Sequence, residues 1–167
     1  IGVAMFLTGV GFQHLLGTAE RHVNRERYLH ALADIVTIAR GPKVAHAMRD
    51  VGLAPTHVVD APHRWRDLLT TVDQHVPVDN QVVAIQEYGE SNISLIAGLE
   101  ARGARVVAVP VYRWELPEDP RPLEQAVQAL AEGRIDVVLF SSAIQVTHVL
   151  QIAQRLRDMV DTLPPGE

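Results

Sequence analysis

Cysteine is absent from the 167 residues, which excludes disulfides, thiol nucleophiles and thiolate metal sites together. Aromatic residues contribute only 5%, and no apolar run approaches the roughly 20 residues that a membrane-spanning helix needs. No signal-peptide pattern is visible. A basic surplus is missing too: 15 Lys and Arg stand against 20 Asp and Glu, a net charge of −5. That balance argues against a nucleic-acid domain working through a broad basic face. It still allows a local anion site made of backbone amides and a few arginines. The eight histidines are scattered, and no pair has ligand spacing beside a carboxylate, so no metal is assigned. Nor is there a G-x-S-x-G elbow of the hydrolase kind.

What is present is an ordinary globular composition, 47% hydrophobic and 21% charged. Strand-like and helix-like patterns alternate along it. Val3–Leu7, Ile35–Ala39, Thr56–Val59, Val82–Gln86 and Arg105–Tyr112 read as strands. Phe12–His22, Arg25–Leu32, Arg64–Asp73 and Asn92–Arg102 read as helices, as does the segment that the Arg40-Gly41-Pro42-Lys43 turn opens, with Pro42 in its first turn, through Val51; Gly52 and Gly103 are placed as C-caps. Alternation of this kind specifies a doubly wound parallel α/β sheet, because parallel strands need crossover helices. Residues 1–112 then form one complete five-stranded domain, and Arg113–Arg121, with Pro117 and Pro120, forms a linker. Residues 122–167 give a helix, a strand at Asp136–Phe140 and a helix at Ala143–Met159. That unit is too small to bury a core alone. Ile1 is not an initiator, and the tail Asp161–Glu167 stops where another strand could begin, so the expectation is a portion of a longer protein.

One motif occurs twice. Ala4-Met-Phe-Leu-Thr8-Gly9 and Val137-Val-Leu-Phe-Ser141-Ser142 are apolar runs ending in a hydroxyl residue and a small one, each followed by helical spacing. In a parallel sheet such a turn lies at the ligand-binding edge. Two similar units with facing edges are therefore expected, with the ligand between them. Thr8-Gly9-Val10-Gly11 fits neither the dinucleotide fingerprint nor the P-loop, and its glycines serve equally for close packing of the helix. Arg40-Gly41-Pro42-Lys43 puts two cations at a helix N-terminus, against the dipole. Such a turn suits a carboxylate or phosphate, unless both side chains simply splay into water. Glu87-Tyr88-Gly89-Glu90-Ser91 offers carboxylates, a phenol and a hydroxyl for acid–base work, although capping is the preferred reading of Glu90 and Ser91. Tyr112 closes the last strand either as a packing residue or as a hydroxyl facing a cleft. Ser141 and Ser142 suit capping and anion binding alike.

Taken in order, Phe6-Leu-Thr8-Gly9-Val10-Gly11, Ala39-Arg40-Gly41-Pro42-Lys43, Gly103-Ala104, Val109-Pro110-Val111-Tyr112-Arg113-Trp114 and Ile135-Asp136-Val-Val-Leu-Phe-Ser141-Ser142 resemble the uroporphyrinogen-III synthase family. The resemblance spans nearly the whole chain. It implies two flavodoxin-like domains, one inserted into the other, with residues 1–112 matching the inserted domain and residues from Arg121 matching the returning part of the first. It implies a cytoplasmic, monomeric lyase of tetrapyrrole (haem) biosynthesis, needing no metal or organic cofactor and touching neither membrane nor nucleic acid. The reaction would be cyclisation of hydroxymethylbilane to uroporphyrinogen III with inversion of the last pyrrole. Tyr112 matches the junction tyrosine, a candidate proton donor to the leaving hydroxyl. Thr8, Gly9, Arg40, Lys43, Glu90, Ser91, Arg113, Ser141 and Ser142 become candidate substrate-binding residues. There are departures: Gly9 stands where many members have serine, and Val44 where they have a hydroxyl residue. The Arg-Gly-Pro-Lys turn belongs to a branch of the family in which some members carry a DNA-binding domain. A catalytically silent sensor domain of a transcriptional regulator is therefore the second reading, and a small-molecule domain of flavodoxin-like or periplasmic-binding-like type the third.

Overall fold

Four consecutive apolar residues, Val3–Phe6 (β1), are all buried, as expected of a strand covered by helices on both faces. Their side chains alternate between two cores. Val3, Met5 and Leu7 join Leu68, Leu69 and Val72 of helix α4 (Trp65–His75) and Leu95 and Leu99 of helix α5 (Ile93–Glu100). Ala4 and Phe6 point the other way, toward Phe12 of α1 (Gly9–Ala19) and Val44, Ala45 and Met48 of α3 (Pro42–Arg49). Phe6 meets Phe12 edge-on at 5.1 Å. Each large side chain so buried contributes on the order of 2 kcal/mol.

The computed structural model describes residues 1–161, in two compact units divided after Arg113. In the first unit β2 (Val36–Ala39), β3 (His57–Val58), β4 (Val82–Glu87) and β5 (Arg105–Pro110) complete a parallel sheet ordered β3-β2-β1-β4-β5. The chain thus forms the α/β doubly wound sheet, the order of winding reversing between β1 and β4. Register sets Phe6 opposite both Ala39 and Gln86, so β1 and β2 end level and β4 runs one residue further, to Glu87. The residues that follow them, Leu7, Arg40 and Tyr88, consequently share one edge. A polar helix, α2 (Arg25–Ala33), precedes β2 and begins at an Asn24 cap.

Element boundaries follow local chemistry. Helix α3 opens on Gly41 and Pro42 and is followed by Gly52 at φ 80°, a glycine conformation past the last turn. Strand β5 stops at Pro110, short of the Tyr112 expected from its β-branched pattern, because proline brings no N–H to a ladder.

In the second unit α6 (Arg121–Ala131) and α7 (Ala143–Asp161) pack together and bury Val127 and Ile152. The strand expected at Asp136–Phe140 is not formed. Val137 is 74% and Leu139 90% exposed. A parallel strand exists only through a neighbour, and among the described residues of this unit no other strand is present to ladder with it. Of the tail expected to lead toward a further strand, residues 162–167 lie outside the described residues.

Helices α4 and α5 are tied by a fork–fork ion pair. Arg102 donates Nε and Nη2 to the two Asp73 carboxylate oxygens at 2.5 and 2.7 Å. The guanidinium's hydrogen bonds hold the Asp73 carboxyl below its ordinary 3.8. A depressed folded value means the contribution is present above 3.8 and is lost as pH falls through the folded value. Urea denaturation of Asp73→Asn should therefore show a deficit against the wild type at neutral pH. The deficit should shrink as the solution is acidified below the carboxylate range.

Candidate functional site

At the shared edge of the sheet, the turn after β1 is set by a buried side chain from β4. Gln86, 2% exposed, accepts the N–H groups of Leu7 and Thr8 through Oε1, both at 3.3 Å, and donates Nε2 to the Glu87 carbonyl at 2.6 Å. Thr8 then caps α1, its hydroxyl oxygen accepting the Gly11 N–H at 3.0 Å. Gly11 must be bare, since a Cβ there would collide with the Gln86 amide. Gly9 must be bare as well: a Cβ would lie 2.7 Å from the Lys43 carbonyl oxygen. The N-termini of α1 and α3 are thereby brought side by side, which accounts physically for glycine at position 9 of this chain.

Next to that junction lies a cavity of 190 Å³ lined by Leu7, Thr8, Gly9, Arg40, Gly41, Pro42, Lys43, Val44 and His63. A second cavity of 300 Å³ shares Leu7, Arg40 and His63 with it and adds Arg64, Trp65, Leu68, Tyr88 and Asn92. Among the described residues no carboxylate lines either one, although acidic residues outnumber basic ones in the chain. Arg40 is aimed by Tyr88: its Nη1 donates to the phenol oxygen at 2.6 Å, and its guanidinium carbon lies 4.9 Å from the ring centroid. This edge presents fixed positive charge, two helix N-termini and flat apolar walls. It is chemically suited to anionic groups carried on a planar body.

The candidate residues separate into groups. Thr8, Gly9, Arg40 and Lys43 meet in the smaller cavity. Glu90 and Ser91 lie on the loop after β4 and line neither cavity. Ser91 donates its hydroxyl to Glu87 at 2.7 Å, and the Asn92 N–H approaches the same carboxylate oxygen at 3.3 Å. The cap of α5 is Asn92, which accepts the Leu95 N–H at 3.1 Å, one residue past the pair expected to serve. Glu87 is buried and spent on holding this loop. Tyr112 is half-buried two residues beyond β5, its ring 6.2 Å from that of His14 and its carbonyl accepting the Gly89 N–H at 3.2 Å. Arg113 is exposed and closes the first unit. Ser141 and Ser142 are exposed before α7 in the second unit, where the Ser141 amide and hydroxyl both donate to Gln145 Oε1, at 2.8 and 3.2 Å.

Sequence reasoning passed over Gln86, Tyr88 as a partner of Arg40, and His63. A glutamine directly after the apolar run Val82–Ile85 was a visible signal, since a polar side chain on a central parallel strand must find partners. The Arg40–Tyr88 contact joins residues 48 apart and has no local signature.

A family model described as uroporphyrinogen-III synthase HemD matches residues 1–163. Among curated proteins, the uncharacterized protein YjjA of Bacillus subtilis (strain 168) is 28% identical over 150 residues, covering 90% of this chain and 54% of its own. A putative uroporphyrinogen-III synthase of Methanothermobacter thermautotrophicus is 28% identical over 131 residues, covering 78% and 51%. Among solved structures, a mutant uroporphyrinogen III synthase from Thermus thermophilus superposes with a TM-score of 0.68 at 29% identity, over 94% of this chain and 60% of that one. The wild-type Thermus thermophilus enzyme in a second crystal form gives 0.62 at 31% identity, over 95% and 58%. The chain spans about half the length of the curated relatives it matches.

If Gln86 sets this edge, Gln86→Leu should leave the Leu7 and Thr8 amides without their acceptor and cost about 1–3 kcal/mol in urea denaturation. Unchanged stability would mean that water replaces the side chain there.

Proposed function

The chain belongs to the uroporphyrinogen-III synthase family, and on that footing we propose that it serves the closure of hydroxymethylbilane to uroporphyrinogen III, with inversion of the last pyrrole ring. The observation that carries the reading is the family match across residues 1–163. The chemistry of the sheet edge agrees with it: two adjoining cavities walled by Arg40, Lys43, Arg64 and aromatic rings suit a flexible ligand bearing eight carboxylates.

In the proposed reaction, the terminal hydroxyl takes a proton and leaves as water while the pyrrole that carried it gives up its N–H proton, leaving an electrophilic azafulvene. The substituted carbon of the last pyrrole attacks it, forming a spiro intermediate that rearranges to the inverted ring. Because the linear substrate also closes unaided to the uninverted isomer, the protein's share is chiefly to hold one shape. Thr8, Gly9, Arg40 and Lys43 are proposed to bind carboxylate arms through side chains and helix-start amides. Arg113 offers a further cation, and Glu90 and Ser91 flank the same edge. Ser141 and Ser142 offer hydroxyls of the same kind in the second unit. The Tyr112 phenol is proposed as the donor to the leaving hydroxyl.

Incubation with freshly generated hydroxymethylbilane, followed by chromatographic separation of the isomers, should give mainly isomer III. Isomer I at the spontaneous rate would overturn the reading. Tyr112→Phe should lower kcat by about 10²-fold or more if the phenol is the proton donor, with stability little changed. Arg40→Ala should weaken substrate binding by about 1–3 kcal/mol, read as a rise in KM, if the guanidinium pairs with a carboxylate arm.

A further inference from the structure

His63 occupies the connection between β3 and α4 with φ at 61°, a left-handed conformation uncommon for a residue bearing a side chain. Such outliers persist where their surroundings hold them. Two contacts do so here. Its Nδ1 lies 2.9 Å from the Val59 carbonyl oxygen. Its ring lies against the backbone of Gly41, where a Cβ would approach within 3.2–3.4 Å of the ring atoms.

The first contact fixes the tautomer. A carbonyl oxygen only accepts, so Nδ1 carries the proton, and in the neutral ring Nε2 keeps a lone pair. His63 lines both cavities. The basic groups around it, Arg40, Lys43 and Arg64, are donors without acceptor capacity. The larger cavity therefore combines guanidinium donors, the apolar walls of Trp65 and Leu68, and an imidazole whose Nε2 can accept when the ring is neutral. A ligand satisfying all three has a planar body, anionic arms and a hydrogen-bond donor, and a pyrrole ring carries that donor in its own plane as the ring N–H. Carboxylated benzenes and furans lack the N–H, and inorganic anions lack the ring.

We propose that the Nε2 of His63 accepts the N–H of a pyrrole, seating one ring of a carboxylated oligopyrrole in the cavity lined by Trp65 and Tyr88, with Arg40 and Arg64 taking its carboxylate arms. The inference rests on the tetrapyrrole reading for its ligand class. It adds the subsite, the orientation of the ring and the residue that reads it.

The test is a binding cycle on the whole chain, by titration calorimetry. The ligands are a monopyrrole carrying one acetate and one propionate arm, and its furan counterpart, which has oxygen in place of N–H at almost unchanged size. The wild type should bind the pyrrole about tenfold more tightly than the furan, the effect of one net hydrogen bond. In His63→Phe that preference should vanish, while affinity for the furan stays within about twofold of wild type. An equal pyrrole preference in both proteins would overturn the proposal, as would no pyrrole binding up to about 1 mM. Should His63→Phe fail to fold, the wild-type protein with ¹⁵N-labelled histidine decides the matter. The Nε2 resonance of His63 should move on adding the pyrrole and stay in place on adding the furan; no movement with the pyrrole overturns the assignment. None of these readouts needs turnover. A protein that yields only isomer I but shows the cycle loses the proposed activity and keeps the subsite. One that yields isomer III without the cycle keeps the activity and loses the subsite.

Discussion

The Gln86 carboxamide accepts the two amides that open the β1–α1 turn and donates to the carbonyl that closes β4, so one side chain joins the two parallel strands between which the order of winding reverses. Much of the edge depends on that join. Thr8 takes up its capping position only once the turn is set, and Gly11 is bare because the amide occupies the space a side chain would need. At the following residue, Glu87 gathers Ser91 and Asn92 and so starts α5. A buried amide without these partners would be costly. With them it leaves the edge very little freedom.

A second constraint acts through what is missing. At Gly9 the Lys43 carbonyl occupies the place of a Cβ, and at Gly41 a Cβ would crowd the His63 ring. The cationic turn and the histidine are therefore positioned by the absence of side chains as much as by contacts. Aromatic residues are few in this chain, yet Trp65 and Tyr88 both wall the larger cavity.

How much of this the sequence discloses differs by element. The five strands of the first unit are legible because each is an apolar run bounded by turn residues, and observed ends differ from expected ones by one or two residues. β5 ends early at Pro110 for lack of an N–H. Asp136–Phe140 has an equally apolar pattern and forms no strand. Pattern reports what would be buried if a partner were present, and pairing is a property of the partner. In the candidate site, Thr8, Gly9, Arg40 and Lys43 are legible because they follow strand ends directly in sequence. His63 is not, since its role depends on a tautomer set by Val59 and a wall set by Gly41, and neither is written in its own neighbourhood.

The chain carries a net charge of −5, yet among the described residues the walls of the two cavities hold three cations and no carboxylate. An acidic body with a basic notch acts as a filter on diffusion. It repels a polyanion over most orientations and draws it in over a few, because the low-dielectric walls of a cleft concentrate the field there. Ligand capture should then be governed by ionic strength in two opposing ways. Added salt weakens the general repulsion and the local attraction together, within a screening length of about 10 Å at 0.1 M. The encounter rate follows whichever fades first, so a surface charge far from the notch influences how quickly the ligand arrives without ever touching it.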